Sequence, residues 1–179
     1  MAIEKKIGKL LFKKGIKLMS KLYILIGVPG SGKTTYAKIM LKHNANLRYV
    51  SRDEVRFSLV SEEEEYFSKE TEVFNTFISN IKQYIDKKYD VIADATHISV
   101  ASRKKLFDAL GNKYLNKVSV IAVVFHPSLE LNFIYNENRR GTRAYVPKNV
   151  IERMYAQFQN PTLKEYNGVF HKIQYMCSE

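Results

Sequence analysis

Cysteine is almost absent from this sequence, Cys177 being the only one. That excludes an internal disulfide and makes a reducing, cytoplasmic compartment the expectation. Long apolar runs are absent too, and no stretch approaches the ~20 residues of a membrane-spanning helix. The amino-terminal region lacks a continuous apolar core and a small-residue cleavage site, so it does not resemble a secretory signal. There is no internal repeat, low-complexity tract or interdomain linker. No N-K-x-D segment for guanine recognition occurs, which argues against a GTPase switch. Acidic residues are comparatively few, 18 against 29 lysines and arginines, for a formal charge of +11. Such an excess suggests a polyanionic partner. Its distribution weakens the inference, because residues 1–21 supply +6 and the rest of the chain only +5.

What is present suits one α/β domain, since 179 residues with 45% hydrophobic content can bury a proper core. The expected division is an extension over 1–20 and a domain over 21–179. In the extension, Ile3, Ile7, Leu10, Leu11 and Leu18 recur at helical spacing among six lysines. Three readings stay open for it: a helix on a membrane or nucleic acid, a stripe packed on the domain, or an extension without a role ahead of Met19-Ser20-Lys21.

The most specific stretch is Gly27 to Thr34, G-V-P-G-S-G-K-T, which matches the phosphate-binding loop G-x-x-x-x-G-K-[ST]. A short apolar run, Lys21–Ile26, precedes it and a helical stretch follows, which is the context the motif requires. Gly27, Gly30 and Gly32 permit backbone angles and approaches that a Cβ blocks. Loop N–H groups and the helix N-terminus then hold phosphate oxygens. Candidate nucleotide contacts are Gly27, Pro29, Gly30, Ser31, Gly32, Lys33, Thr34 and Thr35. Lys33 is placed to reach the β- and γ-phosphates, and the Thr34 hydroxyl to help hold Mg²⁺.

Further strands are expected at 46–50, 89–93, 118–125 and 169–176, with helices between them. The acidic run Glu62–Glu65 reads as a solvated helix start. Phe67, Glu70, Phe74, Phe77, Ile78, Ile81 and Ile85 mark a long helix whose aromatics belong to the core. A helix is expected from near Ser99, another from near Ser128, and Pro147 suits the first turn of the next, which Asn160-Pro161 breaks. This alternation predicts an open five-stranded parallel sheet with helices on both faces. Ligands bind beyond the carboxyl ends of such strands. That rule gathers the phosphate loop, Ser51–Arg56 and Asp94–His97 around one site.

Phosphoryl transfer needs positioning and charge stabilisation more than covalent chemistry. Asp53, just past the second strand, is a candidate base for an acceptor hydroxyl, and Arg56 lies one helical turn on. Asp94 ends an apolar strand and is placed to hold Mg²⁺ through Thr34 or water, or to anchor the neighbouring loop. Thr96 and His97 are expected to line the cleft. Arg139, Arg140 and Arg143 surround Gly141-Thr142 in what reads as a lid, where arginine can neutralise charge on a transferred phosphoryl group.

Together, G-V-P-G-S-G-K-T, S-R-D-E-V-R, the strand ending in D-A-T-H, and R-R-G-T-R-A-Y-V-P resemble the kinase domain of phage-type 5′-polynucleotide kinases, over about Lys21 to Phe158. The resemblance implies a P-loop fold that moves the ATP γ-phosphate to a 5′-hydroxyl end of DNA or RNA, with Mg²⁺. It implies Lys33 and Thr34 on phosphates and metal, Asp53 as general base, Arg56 on the acceptor's 3′-phosphate, Arg140 as the lid arginine, and Asp94 as the active-site aspartate. Two positions depart from the pattern. Family members commonly have Asn where this chain has His97, and an additional arginine where it has Asn136. Since the sequence ends at Glu179, no phosphatase or ligase domain is expected on it, and no obligate protein partner is implied. Two alternatives stay open: a small-molecule kinase on the same scaffold, and an ATP-binding module that recruits partners or membrane through residues 1–18.

Overall fold

A computed structural model describes residues 19–176. The amino-terminal amphipathic stretch and Cys177 lie outside the described residues. Five strands form one sheet: β1 (Ser20–Ile26), β2 (Leu47–Ser51), β3 (Asp90–Asp94), β4 (Val118–Phe125) and β5 (Phe170–Met176). Their order is β2-β3-β1-β4-β5, and every pairing is parallel. The expected five-stranded parallel α/β sheet is therefore the fold.

Parallel strands need covered faces, so their residues run apolar without interruption. In β1, Leu22, Ile24 and Ile26 point to one face and Tyr23 and Leu25 to the other. The first face packs on the long helix α3 (Glu70–Asp86) and on α4 (Val100–Leu110). Phe77, Ile78, Ile81 and Ile85 of α3 meet Leu106, Phe107 and Leu110 of α4 there. The second face is covered by α1 (Lys33–His43) through Ala37, Tyr36 and Met40. Tyr23, Ile92, Ile121 and Val123 complete that side.

The other helices are α2 (Arg52–Leu59), the short α5 (Asn112–Leu115), α6 (Leu129–Glu137) and α7 (Lys148–Ala156). A small third cluster, Val28, Ile98 and Ile151, sits at the carboxyl edge of the sheet against Leu129, Phe133 and Val146. It joins the phosphate loop to α6 and α7.

Several boundaries differ from the sequence reading, each for a local reason. The acidic run does not start a helix. Glu64 instead accepts from Ser61 N at 2.8 Å, and Lys69 Nζ donates to Leu59 O at 2.8 Å. These bonds hold residues 61–69 in turns, and α3 starts only at Glu70. Phe67 is thereby left off the helix and out of the core, 63% exposed. The helix after Pro147 ends at Ala156, ahead of Asn160-Pro161, and Pro147 caps it rather than entering its first turn. Ser99 does cap α4, in a reciprocal capping box with Ser102.

Candidate active site

β1 runs directly into the phosphate loop, and three contacts set the loop's shape. Gly27 N donates to Thr96 O at 3.0 Å, tying the loop to the segment after β3. A Cβ on Gly27 meets Ser31 Oγ at 2.6 Å, and one on Gly30 meets Asn132 O of α6 at 2.4 Å. Gly30 also has φ +79, so its lack of a side chain is needed twice. Gly32, the residue before α1, offers no side-chain cap, and the first turn of α1 carries no acidic residue. The N–H groups of that turn are thus left for an anion.

Lys33 Nζ folds over the loop and donates to Gly27 O at 2.9 Å, Val28 O at 2.8 Å and Ser31 Oγ at 3.3 Å. Among the described residues it pairs with no carboxylate. Burial lowers its pKa, the Asp94 and Asp53 charges oppose that, and Arg139 adds to the lowering. A half-buried ammonium held only by neutral acceptors beside free helix N–H groups fits a polyphosphate. Pro29 and Ser31 are partly buried and Thr35 is exposed.

Behind the lysine lies Asp94, 6% exposed at the end of β3. Tyr49 OH donates to its Oδ2 at 2.6 Å, and Thr34 Oγ1 does so at 3.4 Å. Burial raises the Asp94 pKa, and Lys33 and the Tyr49 hydrogen bond pull it back. The Thr34 hydroxyl and Asp94 carboxylate form a hard-oxygen pair of the type that suits Mg²⁺.

A second cluster starts at α2, whose N-cap Ser51 Oγ accepts from Glu54 N at 3.3 Å. Asp53 is in the first turn with its side chain 64% exposed. Arg56 NH1 donates to Asp53 Oδ1 at 2.9 Å, so the expected i,i+3 neighbours do meet. Arg56 itself is 5% exposed. Its other arm bonds Glu70 Oε2 at 2.6 Å, and Glu70 Oε1 pairs with Arg52. Burial favours the neutral form of Glu70, but Arg56 and Arg52 outweigh it and hold the carboxyl below its usual range. Tyr66 OH lies 3.3 Å from Arg56 NH1 and 3.4 Å from Asp53 Oδ1. Arg56 Nε is buried with no partner among the described residues.

Thr96 contributes its carbonyl to the phosphate loop, as given above. His97 departs from the expectation of a cleft-lining side chain. It is 5% exposed, and its Nδ1 lies 3.0 Å from Leu25 O. A carbonyl only accepts, so Nδ1 carries the proton. Burial lowers the pKa to about 4, which leaves the ring neutral. Its backbone has φ +45, a region that asparagine and histidine enter more readily than other residues with a side chain.

In the lid, the three arginines part ways. Arg140 is 69% exposed and its Nε bonds Glu137 Oε2 at 2.7 Å. Arg143 NH2 reaches Val60 O at 2.8 Å, docking the lid on the end of α2. Arg139 is the one whose charge bears on Lys33. Asn136 is 2% exposed, and its amide bonds both Val146 O (2.7 Å) and Val146 N (3.1 Å). It is a clamp that closes the lid loop.

A family model described as AAA domain matches residues 22–161. The chain belongs to the AAA domain family. Among solved structures, it is similar to a chain of the Pnkp1/Rnl/Hen1 RNA repair complex, at 25% identity and a TM-score of 0.69. That match covers 79% of this chain and 44% of the other. A fungal RNA kinase shares the fold at 15% identity and a TM-score of 0.62, over 90% of this chain and 39% of the other. A gluconokinase from Sinorhizobium meliloti 1021 shares it at 12% identity and 0.54, over 89% and 83%. The chain thus spans less than half of each of the two RNA-related proteins. The last two likenesses, both under 25% identity, bear on the fold alone.

Sequence reasoning missed four residues of this AAA domain. Tyr49 sits in a strand, Glu70 at the one polar position of the expected helix stripe and Tyr66 just after the acidic run, and none of these patterns disclosed the contacts they make. Arg103, in S-R-K-K, looks like a surface residue but has no exposure at all. It binds Glu165 through Nε (2.7 Å) and NH2 (2.9 Å), and His97 O through NH1 (2.9 Å). A long-range ion pair leaves no local signature.

Proposed function

We propose that this chain is an ATP- and Mg²⁺-dependent kinase of 5′-hydroxyl nucleic-acid ends, acting in end healing or repair. The observation that carries it is the Asp53–Arg56 pair, 2.9 Å apart across one turn of α2 and close enough to the phosphate loop for the Asp53 charge to act on Lys33. A carboxylate beside a cation suits an acceptor that has both a hydroxyl and a neighbouring phosphate. Asp53 takes the proton of the 5′-hydroxyl, whose oxygen bonds to the γ-phosphorus while the bond to the β-phosphate oxygen breaks and ADP leaves. Lys33 and a lid arginine neutralise the charge on the transferred group. Arg140 is that arginine once it exchanges Glu137 for phosphate. Thr34 and Asp94 would hold Mg²⁺, which would supply further neutralisation. Arg56 orients Asp53 and anchors the acceptor's 3′-phosphate. A cytoplasmic location fits the lone cysteine, and among the described residues no helix is long and apolar enough to cross a membrane.

The test is transfer of labelled γ-phosphate from ATP to a 5′-hydroxyl oligonucleotide in the presence of Mg²⁺. Transfer is expected, and its affinity for the oligonucleotide should fall steeply with added salt. Transfer to gluconate or nucleosides with none to the oligonucleotide overturns the proposal.

A further inference from the structure

Residues 57–67 bring three aromatic side chains to the surface beside Asp53. Phe57, Tyr66 and Phe67 form a run of edge-to-face pairs, with ring centroids 6.5 Å apart for Phe57–Tyr66 and 4.8 Å for Tyr66–Phe67. A single exposed phenylalanine carries no message. Here the surroundings do. The Arg56 guanidinium carbon lies 4.7 Å from the Tyr66 ring centre and 5.4 Å from that of Phe67. Tyr66 also touches the Asp53 carboxylate through its hydroxyl. The exposed ring therefore continues an unbroken cluster that begins at the group assigned as base. Its main chain is held at the start of α3, where Phe67 O accepts from Glu70 N at 3.3 Å.

The partner for such a ring follows from what is attached to the acceptor hydroxyl. Once a 5′-hydroxyl is at Asp53, its own base is only one ribose away. A base freed from a duplex presents two flat apolar faces that need covering, and aromatic side chains commonly cover them. A polyol such as gluconate has no flat face and calls for hydrogen-bonding groups instead. The terminal base of a blunt duplex is already paired and stacked on its neighbour. Resting on the kinase reading above, we infer that Phe67, backed by Tyr66 and Arg56, is the stacking platform for the 5′-terminal base of a single-stranded acceptor. The cation beneath the ring strengthens the platform, and stacking makes it indifferent to which base arrives.

The experiment compares two short single-stranded 5′-hydroxyl oligonucleotides that differ only in having adenine or a reduced abasic residue at the 5′ end. Phe67→Ala is expected to raise KM for the adenine-ended strand about 5- to 150-fold. The change falls on KM rather than kcat, KM for the abasic strand stays as in the wild type, and Phe67→Trp restores the preference. Phe67 is 63% exposed, so the substitution leaves the core intact. Equal shifts for both strands, or none for either, overturn the platform while leaving the kinase reading standing. Absence of transfer to any oligonucleotide overturns both. An independent readout needs no turnover: a 5′-terminal 2-aminopurine should lose fluorescence on binding the wild type and keep it with Phe67→Ala. Full fluorescence when bound to the wild type also overturns the platform.

Discussion

At the phosphate loop the decisive contacts are main-chain ones: Gly27 N to Thr96 O, and Gly30 so near Asn132 O that a methyl group has no room. At the acceptor side they are side-chain ones. Asp53, Arg56, Glu70, Arg52 and Tyr66 hold one another through ion pairs and hydroxyl contacts, and Asp53 is 64% exposed. A backbone-built half accepts any polyphosphate and tolerates almost no change at its glycines. A side-chain-built half can be altered one contact at a time without loss of fold. On the proposed kinase reading, this difference matches the chemistry asked of each, since the donor would be constant and the acceptor would have to be chosen.

The sharpest way to separate the halves is Asp53→Asn. Loss of the base is expected to lower kcat about 10²–10⁴-fold. ATP binding and the urea midpoint should stay near wild type, because the Asn amide oxygen can still accept from Arg56, which keeps its ion pair with Glu70. Near-full kcat in this variant removes Asp53 as the base. A fall in ATP affinity as large as that in kcat removes the division into halves.

Next in size is Arg103→Met, which tests the floor the two halves share. Arg103 has no exposure and the Glu165 side chain 7%. Removing one partner of a buried pair leaves the other charge stranded, at a cost of about 3–5 kcal/mol. Urea unfolding measures it. A cost below about 1 kcal/mol means that the segment after β3 is held by its main chain alone.

The same contrast explains what was legible in the sequence. The donor half depends on residues adjacent in the chain, so G-V-P-G-S-G-K-T disclosed it, and continuous apolar runs disclosed the parallel strands. The i,i+3 spacing of Asp53 and Arg56 was legible for the same reason. Glu70 and Tyr66 reach Arg56 from 14 and 10 residues away, and Arg103 reaches Glu165 from 62. No local pattern records such meetings. Phe67 was misplaced because it falls at helical spacing from Glu70 and Phe74, whereas the turns tied by Glu64 and Lys69 override that periodicity. At Asn136 the amide clamps Val146, a contact of ten residues' separation that the sequence pattern did not disclose. At His97 the backbone is left-handed, a conformation that asparagine accepts as well.

Gly30→Ala tests the backbone-built half directly. The residue must keep φ +79 and find room against Asn132 O, so a cost of about 1–3 kcal/mol is expected. ATP affinity should fall with it, while aromatic stacking at Phe67 survives in the 2-aminopurine measurement. If stability drops but ATP affinity does not, the α6 contact shapes the loop without shaping the phosphate site.

The smallest expected effect is at His97, which pins β1 just ahead of the loop. Its folded pKa, about 4, lies below the ~6.5 of an unfolded histidine. A depressed value means that unfolding takes up a proton below pH ~6.5, while the folded ring stays neutral until about pH 4. The contribution is therefore full above that window and is lost as pH falls through it, by about 1 kcal/mol between pH 7 and pH 5.5. His97→Asn should abolish this part of the slope, because an amide does not titrate. It should also keep most of the stability, since asparagine accepts the left-handed backbone and its N–H₂ can donate to Leu25 O. Urea midpoints for both proteins at pH 7 and pH 5.5 measure the difference. Equal slopes would mean that the ring is charged in the folded state, and then a bond to the Leu25 carbonyl alone could not explain its burial.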